Sequence, residues 1–203
     1  LLRHEQEKHL DAVLKRKEEP GEKPIALKNT VIRHHLDSVQ TKNLIFILVA
    51  TPVEEVGRDH DFDWAVIEPS SYRSIIQLAG RVRRHRNSAV DAPNIALMQY
   101  NWKAFKEDDA ENQKYFNHPG YEEGFALKTH DVSRLIDVRQ IAERLDATPR
   151  IQKPKVLREK ESLVDLEHFV TQNDLTAYSK KGADTLRGYL DESWFLTAHP
   201  QYL

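Results

Sequence analysis

Two arginines and a glutamine recur within Ser74-Ile75-Ile76-Gln77-Leu78-Ala79-Gly80-Arg81-Val82-Arg83-Arg84 at a spacing suited to a polyanion. On one continuous helix, a step of about 100° per residue puts Gln77, Gly80, Arg81 and Arg84 on a single stripe. Ile75, Leu78, Ala79 and Val82 fall on the opposite side. Guanidinium groups are planar, permanently charged and rich in donors, so a pair of them suits phosphate recognition and the charge that develops in phosphoryl transfer. Gly80 leaves room between them for another group. The alternative is a basic solvated face paired with Asp or Glu. Arg83, His85 and Arg86 extend the basic run and either touch nucleic-acid phosphate or are simply solvated.

A second group of chemistry-bearing residues lies in Ala50-Thr51-Pro52-Val53-Glu54-Glu55-Val56-Gly57-Arg58-Asp59. It follows the apolar run Leu44 to Ala50, and in open α/β sheets ligands sit beyond the carboxyl ends of strands. Thr51 offers a hydroxyl there, Gly57 permits a tight turn, and Asp59 can accept hydrogen bonds from a ribose. An ordinary strand–loop with capping residues explains the same pattern. Asp59-His60-Asp61-Phe62-Asp63 is dense in metal-ligand types, but an EF-hand loop beginning at Asp59 needs Gly and Glu where Trp64 and Ser70 stand. A polar loop is the reading for it. His34 and His35 are adjacent and diverge on a helix, so they do not chelate one ion. Trp102, Trp194 and Tyr202 can stack on bases, but residues of this kind are more often core.

The elements that position these groups follow from periodicity. Leu10, Val13 and Leu14 mark an amphipathic helix over residues 1–16, ended at Pro20-Gly21. Ile32, Leu36 and Val39 mark a second, short one. Leu44 to Ala50 is apolar on both faces and predicts a central parallel strand; an aspartate at Ile47 is then expected to unfold the domain. Trp64 to Ile67 is the next strand, stopped at Pro69. Ser70 or Ser71 caps a helix running to about His85, and Asn94 to Met98 is a third strand. Strands alternating with helices predict an α/β layer with a mostly parallel sheet. After Tyr100 the chain is polar, then helical over residues 132–145 with Asp131 as cap. A linker lies between Pro149 and Pro154, and a short helix spans 163–170.

The chain has 203 residues, a net charge of −2 and no cysteine, which excludes disulfides, zinc–thiolate sites and thiol catalysis. Any nucleic-acid contact must be local rather than a whole-chain field. No apolar run reaches the ~20 residues that a membrane helix needs. The chain opens Leu1-Leu2-Arg3-His4, inside an apparent helix, so residue 1 is read as internal to a longer protein.

Taken together, the two groups resemble motifs V and VI of superfamily-two helicases. Gln77-Leu78-Ala79-Gly80-Arg81-Val82-Arg83-Arg84 is similar to the family's Q-x-x-G-R-x-x-R signature, and Thr51 through Asp59 to its T-x-x-x-E-x-G-x-D segment. Leu78 departs from it where many relatives carry Arg, which removes one possible contact. More closely, residues 51–64 with 77–82 resemble the CRISPR-associated helicase–nucleases of type I-F systems. Leu127-Lys128-Thr129-His130-Asp131, Arg144-Leu145-Asp146 and Leu196-Thr197-Ala198-His199-Pro200-Gln201 resemble the region after that family's motor.

The resemblance implies an α/β, RecA-like, mostly parallel sheet flanked by helices and followed by a mainly helical accessory region. Residues 1–100 are then the second RecA-like lobe without its first strand, 101–155 a linker with a helix, and 156–203 the start of an accessory domain. It implies a cytoplasmic, ATP- and Mg²⁺-dependent motor on single-stranded DNA. Its partners are the first RecA-like lobe and a nuclease domain of the same protein, and a crRNA-guided surveillance complex; no membrane is involved. Arg81 and Arg84 then contact the γ-phosphate, with Arg84 as the arginine finger and Gln77 orienting that face. Gly57, Asp59 and Gly80 lie near nucleotide, and Thr51, Glu55 and Arg83 near DNA. A restriction translocase, an RNA helicase or a non-catalytic interaction module are the other readings, and the region beyond residue 100 separates the RNA helicase. The chain carries no G-x-x-x-x-G-K-[ST] loop and no Asp-Glu-x-His set for Mg²⁺. By itself it is expected to hydrolyse no ATP: phosphate release with single-stranded DNA at ~1 s⁻¹ or above would overturn the two-part reading.

Overall fold

The computed structural model describes residues 3–14, 25–39, 43–51, 54–55, 59–86, 89–105, 116, 121–122, 126–142 and 144–176. The chain divides into two units, Leu1–Glu68 with Ser74–Met98, and Pro69–Arg73 with Gln99–Leu203.

In the first unit, α1 spans Arg3–Leu14 and α2 spans Thr30–Ser38. The spacing of Leu10, Val13 and Leu14 gives α1 one apolar face, and it packs with Ile32 of α2 and partly buried Leu36, Leu44 and Phe62. Asn29 starts α2: its side-chain oxygen accepts the amides of Val31 and Ile32, which lack helical partners. The end of α1 is satisfied from a distance, since the Leu14 carbonyl accepts the N–H of Asp61 at 2.8 Å. Strand β1, Ala65–Ile67, leads through α3, Tyr72–Ala79, to β2, Ile95–Leu97. The strands pair in parallel, with Ala65 opposite Ile95 and Ile67 opposite Leu97. Ile67 and Ile75 are buried.

This corrects the expected fold class. The described residues are mostly helical, with one two-stranded sheet, and do not form a RecA-like, sheet-dominated layer. The difference lies in Leu44 to Ala50, which is not a strand. Ile47 is 80% exposed and Val49 91%. A central parallel strand needs a hydrogen-bonded neighbour on each edge and a helix on each face; among the described residues no strand pairs with this run, and its packing against α1 and α2 is at Leu44. At that exposure an aspartate at Ile47 has no burial cost to incur, so the predicted unfolding does not hold for it.

The motif helix is also shorter than expected: α3 stops at Ala79, not near His85. The amides of its first turn do not depend on Ser70 or Ser71 alone. Tyr72 and Arg73 donate to Oε1 of Glu167.

In the second unit, the single helix expected over 132–145 is two, α4 Val132–Leu135 and α5 Val138–Ile141. Asp131 caps the first as predicted. Asp137 breaks the run because its carboxylate accepts the amide of Arg139 and begins a new helix. The stretch between Pro149 and Pro154 is not bare linker: α6, Thr148–Ile151, has Pro149 in its first turn, where a missing N–H costs nothing. The last helix, α7, runs Leu163–Thr176, beyond the expected end at 170. Trp102 is 55% exposed, against the core reading; Trp194 and Tyr202 lie outside the described residues. No helix among the described residues is long and apolar enough to cross a membrane.

Two buried carboxylates organise this unit. Glu167 takes the first amides of α3 and pairs with Arg150 at 2.9 Å, but burial outweighs these contacts and raises its pKa. Glu122 goes the other way. Burial alone would raise it, but the hydrogen bond from His130, the amides of Leu127 and Phe116 and the nearby His130 charge together hold it below its ordinary value. A carboxylate depressed in the folded state adds stability above its unfolded pKa, and that contribution is lost as pH falls through the lower, folded value. Glu122→Gln turns one acceptor into a donor facing a donor. It is expected to cost roughly 1–3 kcal/mol near neutral pH. In urea unfolding the gap to the wild type should narrow below about pH 4.

Candidate active site

After Ala79 the chain leaves the helix within two residues. Gly80 closes the last α-turn by donating to the Ile76 carbonyl, and a Cβ there would stand 3.2 Å from that oxygen. Arg81 and Val82 then donate to Leu78 and Ala79 in tighter turns. The backbone next makes a parallel bridge, Phe62 to Val82: Phe62 donates to the Arg81 carbonyl and Arg83 donates to the Phe62 carbonyl. Arg83 has φ of 52°, a left-handed backbone that costs a residue with a Cβ about 1–2 kcal/mol. The helical stripe of Gln77, Gly80, Arg81 and Arg84 is therefore not formed as drawn, because Gly80 ends the helix before the arginines begin.

What forms instead is an arginine turn held against the acidic segment 59–63. Arg81 is 7% exposed, and its Nη2 donates to the Glu55 carbonyl at 3.1 Å. Burial and the neighbouring positive charge of Arg84 lower its pKa, while Asp59 and Glu54 pull the other way. Nε of Arg84 pairs with Asp59 at 3.1 Å, and the same carboxylate oxygen takes Nε2 of His85 at 2.8 Å. Arg86 reaches both Asp61, at 2.7 Å, and Asp63. Burial alone would lower the pKa of Arg86; its hydrogen bonds to Asp61 and Asp63 raise it.

Magnitude separates the roles. Asp61 is fully buried, and removing one partner of a buried pair costs about 3–5 kcal/mol. The Arg84–Asp59 pair is 42% and 46% exposed, where an ion pair is worth about 0–1 kcal/mol. Arg86 is thus an anchor rather than part of a solvated stripe, and Arg84 is the guanidinium that can change partners at small cost.

Of the site residues predicted from sequence, Arg81, Arg84, Asp59 and Glu55 come together here. Glu55 is buried and presents its carbonyl. Thr51 is exposed and accepts the Glu54 amide at 3.4 Å. Gln77 stays on α3, its Oε1 buried without a hydrogen-bond partner, as is Nε of Arg81. Gly57 lies outside the described residues. Sequence reasoning missed Asp11, Glu54 and Asp61 and took His60 for a loop residue. His60 is fully buried, with Nδ1 at 2.7 Å from Glu54 and Nε2 at 3.1 Å from Asp11. The signal for the acidic side was Asp at 59, 61 and 63, whose partners in the structure are Arg84, His85 and Arg86. Among the described residues no cluster of His, Cys, Asp and Glu can hold a metal ion. A surface concavity of about 510 Å³ lies by His4, Lys8 and Thr30 and shares no residue with this site.

Residues 1–87 match a family model described as CRISPR-associated nuclease/helicase Cas3, C-terminal. The chain is 41% identical over 169 residues to a CRISPR-associated nuclease/helicase Cas3 of subtype I-F/YPEST from Pseudomonas aeruginosa, covering 83% of this chain and 15% of that protein. It is 38% identical over 175 residues to the protein of the same description from Pectobacterium atrosepticum, covering 84% and 15%. The chain thus spans about 15% of the length of the curated relatives it matches. An alignment of 169 residues in a chain of 203 necessarily runs past residue 100, the region that an RNA helicase would not share.

Arg86→Ala leaves Asp61 buried and uncompensated, so the expected loss is about 3–5 kcal/mol in denaturant unfolding. Arg86→Lys should recover only part, because one ammonium cannot span Asp61, Asp63 and the Phe62 carbonyl together. Unfolding equal to the wild type in both variants would show that Arg86 anchors nothing.

Proposed function

We propose that this chain, which belongs to the CRISPR-associated nuclease/helicase Cas3 family of subtype I-F, supplies the phosphate-facing arginines of an ATP-driven motor on single-stranded DNA. The full-length protein translocates with ATP and cuts invader DNA at a nuclease site elsewhere in its chain, in cytoplasmic antiviral defence. Its partners are single-stranded DNA, the ATP-binding part of the same protein and a crRNA-guided surveillance complex. The observation that carries this reading is the Arg84–Asp59 pair, half exposed beside buried Arg81.

The residues present fit a phosphate. The ion pair engages Nε of Arg84, and Nε of Arg81 is a donor with no acceptor. ATP supplies the transferable phosphoryl group. In this reading Arg84 exchanges Asp59 for phosphate oxygen and stabilises the charge that develops during transfer. Arg81 holds the turn and adds positive potential from behind. Asp59, which keeps His85 after that exchange, is assigned to a ribose hydroxyl, Gly57 and Gly80 to the nucleotide side, and Gln77 to orienting the turn. Thr51, Glu55 and Arg83 are assigned to the DNA side. The described residues offer no Mg²⁺ ligand set, so Mg²⁺ is assigned to the ATP-binding part.

In the full-length protein Arg84→Ala is expected to lower DNA-stimulated ATP turnover by roughly 10³-fold, the range for an arginine finger. KM for ATP and the melting temperature should change little. Arg84→Lys should rescue little, because a point charge lacks the planar donor fork. Arg83→Gly keeps the left-handed turn and removes the charge, so it should preserve turnover while weakening DNA binding. Normal turnover in Arg84→Ala would remove the phosphate assignment.

A further inference from the structure

His60 is fully buried, belongs to none of the assigned roles, and has a carboxylate on each ring nitrogen. Its two partners come from different parts of the first unit. Asp11 sits on α1, and Glu54 sits in the turn closed by the Glu54 amide on the Thr51 carbonyl. Glu54 immediately precedes Glu55, whose carbonyl receives Nη2 of Arg81. Neighbouring backbone bonds tie the same segment down: Asp61 donates to the Leu14 carbonyl, and Phe62 bridges Val82. The ring of Phe62 meets that of His60 edge-on, with centroids 6.2 Å apart.

We propose that His60 is a positioning residue for the arginine turn. Its Nδ1 contact holds Glu54 and so sets where the Glu55 carbonyl meets Arg81, while its Nε2 contact with Asp11 fixes the plane of the ring against α1. A carboxylate at each nitrogen grips the ring at both ends. The inference rests on the phosphate role of Arg84, since a displaced Arg81 matters for turnover only if the turn meets phosphate. Misplacement on the scale of 1 Å in such a constellation is enough to cost a motor about 10²-fold. A histidine that merely completes a core would be satisfied by the same two bonds, so the two nitrogens must be tested separately.

Asparagine and glutamine make that separation. The amide nitrogen of Asn stands near the position of Nδ1, and that of Gln near Nε2. In the full-length protein, His60→Asn keeps the donor to Glu54 and should hold kcat close to wild type while lowering the melting temperature. His60→Gln keeps only the donor to Asp11 and should lower kcat for DNA-stimulated ATP hydrolysis by roughly 10- to 100-fold with little change in KM for ATP. Glu54→Ala, a gentler change than opening the core at His60, should match His60→Gln, and Asp11→Ala should match His60→Asn. Equal losses in His60→Asn and His60→Gln, losses that follow the melting temperature alone, or wild-type kcat in Glu54→Ala would each overturn the proposal. Arg84→Ala in the same assay keeps the two failures apart. If it abolishes turnover while Glu54→Ala does not, only the brace falls. If it leaves turnover intact, the phosphate role falls and the brace with it.

Discussion

One parallel bridge, Phe62 to Val82, decides where every charge in the arginine turn stands. Pairing at Phe62 lays residues 59–63 beside the turn, where Asp59 meets Arg84 and His85, and Asp61 and Asp63 both meet Arg86. The two backbone bonds of the bridge are neutral and local. What they secure is a ladder graded in strength, from a buried anchor at Asp61–Arg86 to a solvent-softened pair at Asp59–Arg84. That gradient makes Arg84–Asp59 the rung that costs least to open and Asp61–Arg86 the one that costs most.

Much of this was legible in the sequence as inventory and little as geometry. The amphipathic helix around Leu10, Val13 and Leu14, the strands beginning near Trp64 and Asn94, and the cap at Asp131 follow from local rules, and local rules hold there. The arginine pair and its relation to residues 51–59 were visible through motif spacing, and the Cas3 comparisons support the family that spacing pointed to.

The split of the helix at Asp137 is local, but the larger failures share a cause: each turned on parts of the chain distant in sequence. Leu44 to Ala50 has the composition of a buried strand, but burial depends on what stands on either side. The run Ser74 to Arg84 has helical apolar periodicity almost to its end, yet Gly80 stops the helix and Phe62 captures the backbone beyond it. No window-based reading sees that capture. His60 reads as a polar-loop residue once a metal loop fails, and its two acids are invisible to a local reading: Glu54 is six residues away and Asp11 is 49.

The left-handed backbone at Arg83 has a consequence for how this region can vary. A position with φ of 52° selects first on backbone freedom and only then on side-chain chemistry. Glycine and asparagine are admissible there, whereas valine, isoleucine and threonine are excluded whatever the surrounding charges. Divergence at position 83 among functioning homologues would therefore pass a steric filter first, and an arginine replaced by glycine would keep the turn while giving up a positive charge. Position 84 should show the opposite pattern, with the guanidinium kept and the backbone free to change around it.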